Sequence, residues 1–320
     1  MQDQYGRKIT YMRISVTDRC NLRCRYCMPE DIERLPREDL LTFDELVCVA
    51  ELAAKHGIRA VKLTGGEPLV RRNIWELVAA LKAVDGIEQV TMTTNGVLFS
   101  EYADALLDAG LDAVNISLDT LRPDRFLQIT GSDAWEAAWN GLQAALRKNI
   151  PVKINCVLQS QINQDEWKDL AELARNLPVA VRFIEMMPIG AGADYEAVSE
   201  AWLREQLSEV FGELTPVKVA GNGPAAYVKP AGFVGSIGFI SALHGPFCTH
   251  CNRLRLTSIG ELKPCLCYRE RIPLRGALRA GDLAQVEGRI VQAIRQKPKG
   301  HCFSDRAAVT EQRQMAQIGG

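Results

Sequence analysis

The chain has 320 residues, 47% of them hydrophobic and 24% charged, and a formal net charge of -1. That length buries a full core, and the composition is that of a globular protein rather than a disordered or fibrous one. The near-neutral balance excludes a general nucleic-acid or membrane binder, so any anion must be held by local clusters of Arg and Lys.

From Thr10 to about Met187, short β-rich runs alternate with longer amphipathic stretches. Strands are expected at roughly 11–17, 59–64, 89–94, 113–119, 152–158 and 180–186, and helices at roughly 42–56, 72–83, 100–109, 133–148 and 164–176. Thr42 and Glu45 spell a capping box at the start of the first helix. Six βα-type repeats of ~30 residues argue for parallel strands with helical crossovers. Residues 188–232 are rich in Gly and Pro, interrupted by a helix near 199–210. Short strands near 233–241, 253–258 and 261–264, a helix near 282–296 and a tail of ~20 residues complete the chain. The expected division is 1–232 for the repeats and 233–320 for a C-terminal extension.

The strands carry one apolar and one polar face. Ile14 and Val16 alternate with Arg13, Ser15 and Thr17; Val61 and Leu63 with Lys62 and Thr64; Val114, Ile116 and Leu118 with Asn115, Ser117 and Asp119; Ile154 and Cys156 with Lys153 and Asn155. A sheet covered on both faces is apolar throughout. Successive side chains alternate faces, so here the polar stripes converge on a shared interior. The fold class expected is α/β, an open (partial) parallel β/α barrel with an occupied polar lumen. An antiparallel sheet with one solvated face is the alternative, and the long crossovers argue against it.

The polar first ten residues show no apolar leader, and no apolar run reaches the ~18 residues of a membrane span. The expected location is cytoplasmic, where thiols stay reduced. The ten cysteines therefore read as metal ligands or buried thiols. Cys20, Cys24 and Cys27 have the spacing C-x3-C-x2-C just past the first strand, where an active-site loop of a βα fold belongs. Structural zinc takes four ligands, whereas three thiols leave one iron of a cubane cluster open for chemistry. Arg19, Arg23 and Arg25 would offset the cluster's charge. One βα unit later, the second strand runs into Thr64-Gly65-Gly66-Glu67-Pro68, whose glycines allow close backbone approach and whose Glu67 can accept from an amine.

Cys248, Cys251 and Cys265 form a second group of three, C-x2-C-x13-C. A fourth ligand from His250 or Cys267 stays open at this point. Arg253 and Arg255 share one side of a strand and suit an anionic substrate such as a phosphate. Cys48 and Cys156 read as core, and Cys302 as incidental, with no partner thiol nearby.

The first motif resembles the radical S-adenosylmethionine superfamily. With MTTNG (Met92 to Gly96), NISLD (Asn115 to Asp119), RFIEMM (Arg182 to Met187), CxxCNRLRLT and the terminal Gly319-Gly320, nearly the whole chain is similar to the GTP 3′,8-cyclase family of molybdenum cofactor biosynthesis. The resemblance implies two [4Fe-4S] clusters, one on each cysteine group. It implies S-adenosylmethionine at Tyr26, Gly66, Glu67, Ser117 and Met187. It implies GTP at Arg13, Lys62, Thr93, Lys153 and the segment Arg253, Leu254 and Arg255, with catalytic parts for Arg13, Lys153, Arg182, Gly319 and Gly320. The implied reaction abstracts hydrogen from ribose C3′, joins C3′ to guanine C8 and ends in a reduction. It needs an electron donor, and handover to the next enzyme of the route and a homodimer remain open. Lys62 stands where many relatives carry Arg; an ammonium still holds phosphate. The rival readings are a radical enzyme with an auxiliary cluster acting on a peptide, and a non-catalytic metal-binding redox sensor.

Overall fold

Strand and helix alternate through the first 185 residues as the two periodicities require. The structure, a computed structural model, describes residues 1–29, 32, 34–245 and 247–319. In chain order come β1 (Tyr11–Ser15), α1 (Phe43–Lys55), β2 (Ala60–Thr64), α2 (Ile74–Lys82), β3 (Gln89–Thr94), α3 (Phe99–Asp108) and β4 (Ala113–Ser117). Then follow α4 (Pro123–Thr130), α5 (Trp135–Arg147), β5 (Val152–Leu158), α6 (Trp167–Asn176) and β6 (Ala180–Glu185). The first helix starts where its sequence says. Glu45 N–H donates to the Thr42 hydroxyl at 3.1 Å, and Thr42 N–H donates to the Glu45 carboxylate at 2.8 Å, satisfying two otherwise orphaned donors. Beyond β6 lie α7 (Glu200–Phe211), β7 (Leu214–Val217), β8 (Ala226–Pro230), β9 (Ser236–Ile240), β10 (Arg253–Leu256), β11 (Glu261–Lys263), β12 (Ile272–Pro273), α8 (Arg275–Arg279) and α9 (Leu283–Arg295).

All these strands join one sheet, in the order β12-β11-β10-β1-β2-β3-β4-β5-β6-β9-β8-β7. Every neighbour pair from β10 through β1 and β6 to β9 is parallel, so the antiparallel alternative is excluded. Antiparallel strands appear only at the two ends. The ends do not meet, and the barrel is open. Met12, Ile14, Val61, Leu63, Val114, Ile116, Ile154 and Cys156 are fully buried in one core with the helices. Removing such side chains from water is the main source of stability. Their alternates face inward, and the register sets Arg13 beside Lys62 on one side and beside Arg255 on the other.

Three regions depart from expectation. Helix α4 lies between the expected elements at 113–119 and 133–148; Pro123 opens its first turn and Gly131, at φ +66°, ends it. Eight residues with few apolar positions give too short a period to recognise. The β7–β8 hairpin lies in the Gly/Pro-rich stretch, and its largely solvated strands carry little alternation. The tail is docked rather than loose, with Ala316 and Ile318 buried. Its Thr310 and Glu311 N–H groups donate to the Cys267 carbonyl, and the Glu311 carboxylate forms a buried ion pair with Lys263. Among the described residues, no helix is long and apolar enough to cross a membrane.

Candidate active site

The inward face of the sheet encloses a cavity of about 360 Å³. Its floor, toward the N-terminal ends of the strands, is cationic: Arg13, Lys62, Lys153, Arg182, Arg253 and Arg255 all line it. Burial, then Arg182, Arg13 and Lys153, push the Lys62 ammonium well below its usual range. Burial and Arg182 bring Lys153 down to about 8. Burial, then Arg13 and Arg253, depress Arg255. The carboxylates on the wall are engaged elsewhere. Asp112 holds Lys82 at 3.0 Å, and Glu185 accepts from His244 Nδ1 at 2.9 Å. In the orientation that satisfies both its ends, the Asn115 amide oxygen accepts from Lys62 Nζ and Arg182, each at 2.8 Å. Like charges crowded in a dry site are costly unless a polyanion joins them. The β7–β8 loop closes the floor: Lys153 donates to the Ala220 carbonyl, and Asn222 donates to Gln89 at 2.6 Å.

The roof lies at the C-terminal ends of the strands, where this architecture puts its chemistry. Tyr26, Cys27, Gly66, Ser117, Asp119 and Met187 reach it. The Cys27 and Met28 N–H groups both donate to the Cys24 carbonyl, at 2.9 and 2.8 Å, which turns the loop tightly. Helix α4 clamps it from outside, since Arg23 N–H and Arg25 N–H donate to Thr130 and Ile129. Arg23 donates to the Cys20 carbonyl at 2.8 Å, and Asn95 lies 3.7 Å from Cys20 Sγ. Burial pushes Cys20 up to about 11 and Cys27 to about 12, and Cys24 well above its usual value; at Cys24 and Cys27 neighbouring thiolates add to it. Thiols so placed ionise readily only when metal cations take the charge.

Gly66 has no room for a side chain: a Cβ would sit 2.3 Å from the Arg19 carbonyl oxygen. Tyr26 donates to Asp119 at 2.7 Å, and burial raises that carboxyl to about 6. Thr93 lines the lumen between floor and roof. Two predicted site residues do not join them by side chain. Glu67 is 1% exposed and accepts from Leu69 N–H, Thr94 Oγ1 and Asn95 N–H at 2.7–3.0 Å. It braces the β2 and β3 loops, while burial lifts it to about 7. Leu254 turns into the core, so only its main chain can reach a bound nucleotide.

The second group lies off the β10 edge. Cys248 and Cys251 flank a turn in which Cys251 N–H donates to the Cys248 carbonyl at 3.2 Å, and Cys265 follows β11. Burial opposes ionisation of Cys251, but Arg253 and Lys297 draw it down to about 6. Cys302, expected to be alone, has its Sγ 2.8 Å from Cys267 Sγ, thirty-five positions away; no local spacing could show this. His250 is exposed and bonds Thr249. Each group thus offers three thiols, a donor set that fits an iron–sulfur cluster with one iron left free. Among the described residues, no three His, Cys, Asp or Glu close tightly enough around a point to hold a single metal ion.

The tail reaches both the lumen and the first group. Ala316 N–H bonds Cys27. The Gly319 carbonyl accepts from Arg255 at 3.0 Å, and Gly319 sits at φ +77° against Ser15 and Thr64, a backbone state only glycine takes freely. Gly320 lies outside the described residues. Asn95 and Asp119 lie in the MTTNG and NISLD motifs but carried no assigned part, and no motif marks Lys297 or Ala316, which arrive from the far end of the chain.

An open parallel barrel with three thiols at its mouth and a glycine-lined turn beside them defines a radical S-adenosylmethionine enzyme, and residues 14–174 match the Radical SAM superfamily. Residues 179–303 match Molybdenum Cofactor Synthesis C. The chain is 44% identical to the GTP 3′,8-cyclase of Pelotomaculum thermopropionicum and 45% identical to that of Desulforamulus reducens, in each case over 100% of both chains. It belongs to the GTP 3′,8-cyclase family. Among solved structures it shares its fold with Streptococcus suis SuiB bound to S-adenosylmethionine (TM-score 0.61, 14% identity, 98% of this chain and 78% of that one). It also shares it with anSMEcpe with bound AdoMet and a peptide (TM-score 0.55, 14% identity, 97% and 93%).

Proposed function

We propose that this chain converts GTP to 3′,8-cyclo-7,8-dihydro-GTP, the first step of molybdenum cofactor biosynthesis, inside the lumen between its two cysteine groups. The observation that carries the reading is the cationic floor, where Arg13, Lys62, Lys153, Arg182, Arg253 and Arg255 converge on one cavity of about 360 Å³. Cys20, Cys24 and Cys27 hold one [4Fe-4S] cluster, and Cys248, Cys251 and Cys265 hold the other. When bound, the first cluster and S-adenosylmethionine supply the hydrogen-abstracting radical.

The chain's own work is binding and orientation. Tyr26, Gly66, Ser117 and Met187 surround S-adenosylmethionine under the roof. Arg13, Lys62, Lys153 and Arg182 grip the triphosphate, each charge-assisted contact contributing about 1.5–3 kcal/mol. Thr93 and the Arg253–Arg255 segment place ribose and base between floor and second group. The β7–β8 loop keeps water from below. Gly319 brings the main chain alongside the substrate without side-chain obstruction. The reading places the enzyme in the cytoplasm with an external one-electron donor, ahead of the next enzyme of the route.

The test is anaerobic incubation with GTP, S-adenosylmethionine and a reductant. The expected products are an isomer of GTP, because the abstracted hydrogen is replaced in the closing reduction, and one 5′-deoxyadenosine per turnover. Deoxyadenosine formation indifferent to GTP, with no such isomer, would overturn the reading.

A further inference from the structure

Lys297 follows α9 by two residues and is 3% exposed. Its ammonium is spent on the arms of the second cysteine group: Nζ donates to the Arg253 carbonyl at 2.8 Å and to the Pro264 carbonyl at 2.6 Å. Arg253 stands two residues after Cys251, and Pro264 immediately before Cys265. One buried cation therefore ties together the two arms that carry two of the three thiols.

Nearby cations show what is unusual here. Lys263, also fully buried, is paired with the Glu311 carboxylate. Arg7 reaches the third arm, donating to the Cys248 carbonyl at 2.8 Å and to Pro298 and Lys299, and it carries its own counter-ion, Asp3, at 2.6 Å. Among the described residues no carboxylate pairs with Lys297; the groups of opposite sign that face it are the Cys251 and Cys265 thiols, with Arg253 as the like charge alongside. A buried cation without a counter-ion is strongly destabilising. A thiolate-bound cluster is an anion in the right place, and hydrogen bonds to its sulfurs together with local charge set its potential.

Resting on the reading of the second group as a cluster site, we infer that Lys297 is a positioning residue of that cluster. It is the counter-ion, it fixes the separation of the Cys251 and Cys265 arms, and it holds the reduction potential up.

The experiment uses the full chain with Cys20, Cys24 and Cys27 changed to Ala, so that only the second group takes iron, reconstituted anaerobically. Lys297→Met and Lys297→Arg are compared with this parent by iron content, by spectroscopic redox titration and by melting of the iron-free proteins. The parent should hold roughly four irons. Lys297→Met should either lose most of that iron or keep it at a more negative potential, with iron-free melting near the parent's. Lys297→Arg should recover iron and potential toward the parent, and this serves as the check if Lys297→Met does not fold. Parental iron and potential in Lys297→Met overturn the inference alone. So does iron loss matched by an equal loss of iron-free stability, or a Lys297→Arg protein with neither iron nor potential recovered. A parent that takes no iron overturns the reading of the second group and the inference with it.

Discussion

The two cysteine groups have the same number of thiols and opposite surroundings. The first is sunk in the fold, and burial pushes Cys20 and Cys27 up to about 11 and 12, although Arg23 draws Cys20 the other way. In the second, burial also raises Cys248, but Arg253 and Lys297 draw Cys251 down to about 6 against its burial. The difference is therefore sharpest between Cys27 and Cys251: one needs its positive charge from what it binds, and the other has part of it from the protein.

The largest test of the comparison is to remove each group. Changing Cys20, Cys24 and Cys27 to Ala should halve the iron and abolish S-adenosylmethionine cleavage. Changing Cys248, Cys251 and Cys265 should also halve the iron and stop GTP conversion, while cleavage continues abortively. Iron analysis beside 5′-deoxyadenosine yield decides it, and equal loss of cleavage in both would erase the contrast. Next in size, deleting Gly319 and Gly320 should abolish GTP conversion with full iron content; an active truncate makes the tail a spectator. Arg255→Ala or Arg253→Ala should weaken GTP binding by about ten- to a hundredfold at unchanged cleavage, read by calorimetry of the iron-loaded protein. The smallest effect concerns Lys153. With its value near 8, it is charged below that pH and neutral above. GTP affinity should fall by about tenfold or less between pH 7 and 9, and Lys153→Arg should flatten that fall.

Much of this was legible because it is periodic or local. The polar alternates Arg13, Lys62, Asn115 and Lys153 announced the lumen, and Thr42 with Glu45 announced α1. The first cysteine spacing sits within one loop, and the second spans only the β10–β11 pair. What stayed hidden depends on long-range contact. Glu67 looked like a ligand for an amine, yet three donors from its own and the following loop claim it. Cys302 and Cys267 meet only because the tail folds back over β11. Helix α4 is short and polar, but it is the element that clamps the first cysteine loop.

The place of β1 in the sheet bears on how the chain comes into being. One of the two neighbours of β1 is β10, made some 240 positions later. Until residues 253–256 leave the ribosome, Met12 and Ile14 belong to a strand with an unpaired edge, the feature most prone to mispairing. The chamber that holds Arg13 and Arg255 side by side is complete only once β10 has been made. A chain stopped before β10 should therefore aggregate rather than accumulate as a half-barrel, which a pelleting assay on nascent fragments would reveal.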